Sequence, residues 1–401
     1  MGLIQHIPTN PNGIMIVGEA PGADEVKYGK PFIGWEGQYL RRQLKSAGID
    51  FHRCFVTNTV HVRPPQNNYN KLPPQVISEG LRQLEKDIIS FNPNVIIAVG
   101  SKALKALTGH EQITRYRGAV LESTLVPRKK VLATIHPGGI LRGGEKMGRY
   151  EPIQILDFKK AAREAMYPEI VYPERNINII RTADRAINLL QNLTDVSSPV
   201  ACDIETVGPI LSAYGIATSK SEAFVITREL LRDKPVLRTL SRFAASRTPK
   251  IFHNALFDCL HNAAYYKIIN NNIFCDTMIA QHAAYPTLPK SLAFCASLYT
   301  TEPYWKDEGR SLFDELKRGR QIDWDSMYTY NGKDCCLTYE IYEVLMEEIK
   351  DWSTEPAYKL MMSLIQPCLF AMIRGTKISM YKLDQFKQQN EKAIELSLIH
   401  I

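Results

Sequence analysis

No stretch of this 401-residue chain approaches the roughly 20 consecutive apolar residues that a bilayer-spanning helix needs, which argues against a membrane partner. The start, MGLIQHIPTNPNG, lacks the zones of a secretory signal, and His6 stands where myristoylation would want Ser or Thr. The 8 cysteines have no repeated spacing, so a disulfide framework is not expected and the thiols suit a reducing, cytoplasmic setting. Internal repeats and low-complexity tracts are missing as well. What is present is an ordinary globular composition, 45% apolar and 23% charged, with a net charge of +7. That mild basic excess fits a polyanionic partner without establishing one. The length fits two domains and a remainder.

The first part alternates strand-like and helix-like runs. IMIV, CFVTN, NVIIAVG and VLATIHP read as four short buried strands, separated by the amphipathic segments WEGQYLRRQLKSAG, PPQVISEGLRQLEKDIISF and SKALKAL. Gly48 is a stop signal and Pro74 a start signal. Such alternation implies a mainly parallel sheet covered on both faces, with ligands beyond the carboxyl ends of its strands. A helix near 155–166 leads into YPEIVYPERN, whose prolines mark a linker. Beyond it, INII reads as a strand, Thr182 as a helix cap, YGIATSKSEAFVI as a hairpin and NGKDCCLTYEIYEVLMEEI as a long helix.

VACDIETVG places Asp203 and Glu205 two apart. In a strand they share a face while Ile204 packs behind, and two adjacent anions repel unless a cation or a proton lies between them. A lone D-x-E is more often a solvated strand end than half of a metal site. Two further segments change the balance. HNALFD ends in Asp258, and YTYNGKD puts Tyr330 and Asp334 at i, i+4 on one helix face. In order and spacing these residues resemble the three motifs of the DEDDy 3′–5′ proofreading exonucleases of family-A DNA polymerases.

That resemblance implies a ribonuclease-H-like fold with a mixed sheet. It also implies two divalent ions, Mg or Mn, on Asp203, Glu205, Asp258 and Asp334, one serving the attacking water and the other the leaving 3′ oxygen. Tyr330 would orient the water, and Asn254 would meet the DNA. Asp276 reads as a helix cap, and His253 and His261 as structural or solvent-facing.

GEAPGADEVKYGKPFIGWEGQYL, FVTNTVHVRPPQNN, VIIAVGSKALKALTG and ATIHPGGILR resemble, in order, the motifs of the family-4 uracil-DNA glycosylases. The resemblance implies an α/β/α domain and a pocket for a flipped base. Phe32 would stack on the pyrimidine, and Asn58 would read the edge that separates uracil from cytosine. His136 would stabilise the departing uracil anion. Glu19 and Glu25 are the candidates to position the water, and Gly22 lets the backbone approach closely. Arg142 would press on the duplex, with Ile140 or Leu141 as an apolar wedge.

Two departures stand out. The family's four-iron cluster needs four cysteines, yet this domain has only Cys54, with Val62 at an expected ligand position; no iron–sulfur cluster is expected. Val26 also interrupts the acid run after GEAPG, which leaves open a non-catalytic uracil sensor.

SLIQPCLFAMIRGTKISMYKLDQF resembles the lead into a family-A polymerase body. The final LSLIHI matches one reading frame of a transposon end used in sequencing libraries, so the chain is expected to be a truncated phage-type polymerase. The expected divisions are 1–167 for the glycosylase-like domain, 168–176 for the linker, 177–355 for the exonuclease and 356–401 for the start of a polymerase body. Expected partners are uracil-containing DNA and single-stranded or frayed 3′ ends, in a bacterial or phage-infected cytoplasm.

Overall fold

Residue-by-residue alternation in the first apolar runs sets up two cores. The computed structural model describes residues 2–148 and 150–399. Its first sheet contains β1 (Ile14–Gly18), β2 (Phe55–Asn58), β3 (Val95–Val99), β4 (Val120–Glu122) and β5 (Lys130–Thr134) in the order β2-β1-β3-β5-β4. All pairings are parallel except β4 with β5. Ile14 and Ile16 face the helices Trp35–Ser46 and Tyr150–Glu164, packing with Leu40, Leu44 and Phe158. Met15 and Val17 face the other way, onto Leu84 and Ile88 of Pro74–Phe91 and Leu104 of Ser101–Thr108. The three-residue β4 was not anticipated; it is too short for its alternation to register.

The second sheet is mixed. It comprises β6 (Asn176–Ile180), β7 (Val200–Val207), β8 (Ile210–Ser219), β9 (Glu222–Thr227), β10 (Lys250–Phe252) and β11 (Ile273–Asp276), in the order β11-β10-β7-β8-β9-β6. β7, β8 and β9 form an antiparallel meander, and the remaining pairings are parallel. Cys202 and Ile204 point into one core, under the helices Ala183–Asn192 and Lys234–Ala245. Ala201 and Ala217 face the 28-residue helix Trp324–Asp351. Asp203 stands opposite Gly215 on β8. A Cβ at Gly215 would lie 2.5 Å from Asn331 Oδ1 and Cys335 Sγ, so this glycine lets the long helix approach the strand that carries the acids.

Some local expectations need correction. Thr182 occupies the N-cap position of Ala183–Asn192, but its side chain makes no capping bond. Of the two readings of His261, structural or solvent-facing, the first holds: it is buried and ringed by Phe257, Tyr265 and Tyr266. Glu355–Arg374 is, contrary to the opening expectation, long and apolar enough by length and composition to cross a bilayer. It folds as two helices, Glu355–Ser363 and Ile365–Arg374, divided at Leu364. Tyr358, Ile365 and Leu369 pack onto the second domain, whereas Leu364, Phe370, Ile373 and, further on, Tyr381 and Phe386 are exposed. Of the LSLIHI tail, His400 and Ile401 lie outside the described residues.

The two sheets are clamped together. Ile153 of the first domain packs with Leu288 and Leu298 of the second. Beside them the buried Lys160 ammonium donates to Gly118 O, Ser297 O and Thr300 O at 2.6–2.7 Å. With three carbonyls and no carboxylate in contact among the described residues, burial pulls the Lys160 pKa down to about 7.

Candidate active sites

β1 and β2 end side by side, Gly18 opposite Asn58, and the next turn delivers Glu19. A Cβ at Gly18 would collide with Asn58 Oδ1 and lie 2.6 Å from Phe32 Cζ. Glycine at this position therefore makes room for the amide and the aromatic ring together. Phe32 has φ of 50°, a left-handed conformation that a bulky residue adopts only under constraint. The constraint is visible: Glu25 Oε1 accepts from the backbone N–H of Ile33 and Gly34 at 3.0 and 2.9 Å. Gly37, in the first turn of Trp35–Ser46, leaves space for the Phe32 backbone.

His136 follows β5 and caps the short helix Pro137–Arg142, its Nδ1 accepting from Gly138 N–H at 3.1 Å. That bond leaves the proton of the neutral ring on Nε2. Burial lowers the His136 pKa, against the opposing pull of Glu36, whose Oε2 is 3.7 Å from Nδ1 and whose Oε1 pairs with Arg142. Burial likewise raises the Glu19 pKa, with Lys102 opposing.

Glu19, Gly22, Glu25, Phe32, Asn58, His136 and Arg142 all line one cavity of about 400 Å³. Glu36, Arg63 and Asn67 line it too and were missed. Arg63 Nε donates to Asn67 Oδ1 at 2.9 Å, and Gln66 and Asn67 both have positive φ; the Asn-rich RPPQNN run was the one available signal for such a turn. Ile140 cannot serve as a wedge as it stands, being buried with Tyr39 and Ile135. Cys54 is buried, and burial pushes its thiol pKa up to about 12.

The second site is built from one strand and one helix. Asp203 and Glu205 share a face of β7, and Tyr330 and Asp334 share a face of Trp324–Asp351. Oxygens of Asp203, Glu205 and Asp334 lie within 4.8 Å of one another. Asn331 Nδ2 donates to Asp203 Oδ2 at 2.7 Å. Asp258 is nearby and buried, but its Oδ1 accepts from Ile204 N–H at 3.1 Å and stands apart from the group of three. Burial, then the charge of Asp334, raises the Asp203 pKa to about 8. Burial and the neighbouring carboxylates lift Glu205 and Asp258 well above the usual range.

Two unforeseen residues complete the site. Trp305 Nε1 donates to Asp334 Oδ1 at 2.6 Å, and Lys306 Nζ donates to Asp334 Oδ2 at 2.5 Å and to Tyr330 Oη at 2.7 Å. Burial works against the Lys306 ammonium, yet Asp334, Asp203 and Glu205 hold its pKa above the ordinary lysine value. Asn254 sits in a left-handed turn at φ 70°, between β10 and the helix Ala255–His261. Asp276 is more than a cap: besides Met278 and Ile279 N–H, its carboxylate accepts from Asn254 and Ala255 N–H, locking that turn to the next strand.

A cavity at parallel strand ends and a carboxylate cluster on a mixed sheet, carried by one chain, fit a two-part nucleic-acid-processing protein. Residues 4–164 match the uracil DNA glycosylase superfamily, and residues 175–350 match the 3′–5′ exonuclease family of family-A DNA polymerases. Through its first domain the chain belongs to the type-4 uracil-DNA glycosylases. It is 36% identical to the Archaeoglobus fulgidus enzyme of that name over 156 residues, which are 37% of this chain and 74% of that one. The Thermotoga maritima counterpart is 35% identical over 153 residues, 37% of this chain and 75% of that one. A DNA polymerase of Bacillus phage SP01 aligns over 391 residues at 25% identity, covering 85% of this chain and 41% of the polymerase. Among solved structures, Escherichia coli RNase D aligns at 18% identity with a TM-score of 0.38, over 48% of this chain and 50% of that one. The chain thus couples a glycosylase-family domain to a metal-dependent 3′–5′ exonuclease domain, and both bind nucleic acid.

Proposed function

We propose that the chain excises uracil from DNA and trims DNA 3′ ends, acting as the leading part of a replicative polymerase of the kind its phage relative represents. The observation that carries the first activity is the convergence of Phe32, Asn58, His136 and Glu19 on one cavity. Phe32 offers a stacking face and Asn58 an amide that both donates and accepts. His136, neutral and protonated at Nε2, donates to the uracil oxygen that gains charge as the glycosidic bond breaks. The Glu25 carboxylate is occupied by backbone amides, whereas the Glu19 carboxylate has no hydrogen-bond partner among the described residues, its backbone carbonyl alone accepting from Thr59 Oγ1. Glu19 is therefore the group that positions the water, and Glu25 the brace of the Phe32 turn. Cleavage of this bond needs no cation, and the single buried Cys54 is no basis for a cluster.

For the second activity, the residues fit divalent ions: hard carboxylate oxygens, gathered closely and lifted in pKa by burial and mutual repulsion, gain from a cation. Asp203, Glu205 and Asp334 would hold one ion, and Asp258, with Asp203, would hold a second. Bound there, such ions supply charge stabilisation at the phosphoryl oxygens. The chain's own part is to hold the carboxylates in place through Asn331 and the Ile204 amide, and to present the Tyr330 hydroxyl to the water. The favoured substrates are single-stranded or frayed 3′ ends.

One tube tests both readings. With a uracil-containing, 5′-labelled oligonucleotide and Mg²⁺, alkali-labile sites and 3′ shortening are expected together. EDTA should abolish shortening and spare uracil release. Preferential binding of uracil-containing DNA with every glycosidic bond intact would replace catalysis by sensing. If the protein shows neither a preference for uracil-containing DNA nor uracil release, the pocket assignment falls.

A further inference from the structure

Residues 300–309 address the two domains by turns. Thr300 O accepts from Lys160 of the first domain at 2.6 Å. Tyr304 packs edge-on against Tyr116, ring centroids 5.2 Å apart, with the Arg115 guanidinium 5.5 Å from its centre. Asp307 accepts from the Tyr116 hydroxyl at 2.9 Å and pairs with Arg115 at 3.0 Å. Between these anchors Trp305 and Lys306 turn the other way and take both oxygens of Asp334 and the Tyr330 hydroxyl. Gly309 then forms the seat of the Tyr330 ring, where a Cβ would lie 2.5 Å from Cζ.

We propose that residues 300–309 are a strap through which the glycosylase domain sets the geometry of the exonuclease site, with Tyr304 and Asp307 as anchors and Trp305 and Lys306 as positioning residues. The inference rests on reading Asp203, Glu205 and Asp334 as metal ligands. Trp305 and Lys306 are each one residue from an anchor, so the chain between Tyr304 and Asp307 cannot shift without displacing their donors. Charge-assisted hydrogen bonds of this length weaken steeply when stretched. A divalent ion that uses Asp334 also competes with both donors. Loosening the anchors therefore has two opposite effects: Asp334 becomes more available to metal, and Tyr330 loses the donor that fixes its hydroxyl.

The test uses the full chain and reads Mn²⁺ binding by electron paramagnetic resonance, alongside single-turnover 3′ shortening at saturating Mn²⁺. Asp307→Ala should tighten Mn²⁺ binding by roughly three- to tenfold and slow shortening by about tenfold, the loss of a charge-assisted contact. Lys306→Met should shift both in the same directions and further. The reversed pair R115E/D307R should return both towards the parent values, which a general loss of packing would not. Uracil release reports that the first domain remains folded. If Asp307→Ala does not melt cooperatively, Tyr116→Phe removes the hydroxyl alone and should give a smaller shift of the same sign. Parent-like Mn²⁺ binding and rate in Asp307→Ala or Tyr116→Phe, with Lys306→Met altered, would overturn the strap. Parent-like Mn²⁺ binding in Asp203→Ala would instead overturn the metal-site reading on which it rests.

Discussion

The two sites solve opposite electrostatic problems. In the proposed reaction the glycosylase cavity would meet charge that arises as the bond breaks with neutral donors, the Asn58 amide and the His136 imidazole proton. The exonuclease site concentrates carboxylates, and with no cation it relieves their repulsion through Lys306, Asn331 and raised pKa values. A site of dipoles tolerates the loss of any ion, whereas a site of packed carboxylates is incomplete without one.

The sharpest way to break the contrast is Asp203→Ala. It should slow 3′ shortening by at least about 10³-fold, because a shared ligand is lost, and leave uracil release at the parent rate in the same preparation. Next in size, His136→Ala should slow uracil release by about 10²–10³-fold, the usual loss when one oxyanion-type donor goes, with exonuclease rates unaltered; equal losses in both activities would point to misfolding.

A pH series separates the sites more gently. With the Asp203 pKa raised to about 8, the folded protein holds a proton that the unfolded chain releases near pH 3.9. This contribution to stability is full below pH 3.9 and is lost as pH rises through 8. The metal-free protein should therefore melt at lower temperature at pH 8 than at pH 6. Protons and Mn²⁺ compete, so Mn²⁺ should bind up to about tenfold more tightly per pH unit for each proton displaced across that window. Scanning calorimetry reads the melting temperatures and calorimetric titration at pH 6, 7 and 8 the affinities, and a pH-independent affinity would contradict the clustered carboxylates.

The smallest expected effect is Gly215→Ala. It should destabilise the protein by about 1–3 kcal/mol through overpacking against Asn331 and Cys335, read by chemical denaturation, and should slow the exonuclease more than the glycosylase.

How much of this was legible depended on distance along the chain. Asp203 with Glu205 and Tyr330 with Asp334 share faces by strand and helix periodicity, so local spacing brought each pair together. The candidate glycosylase residues follow strand ends, where parallel sheets gather their ligands, and motif order was enough to gather residues that line one cavity. Lys306 and Trp305 had no such signal: a lysine at the start of an amphipathic helix looks solvated until another helix brings Asp334 to it. Glu36 was equally hidden, since its carboxylate meets His136 and Arg142 only after about a hundred residues of chain have folded back. Asp276 was read as a cap because that part of its role is local, while its bonds to Asn254 and Ala255 cross between strands.

The left-handed turn at Phe32 carries one more consequence. Because two amides on Glu25 and the seat at Gly37 fix the Phe32 backbone while the protein folds, the entropy of ordering the proposed stacking residue is largely spent before a base arrives. Different bases should therefore enter the cavity at similar rates and differ mainly in how long they stay. If the pocket takes uracil as proposed, its recognition is a matter of residence time.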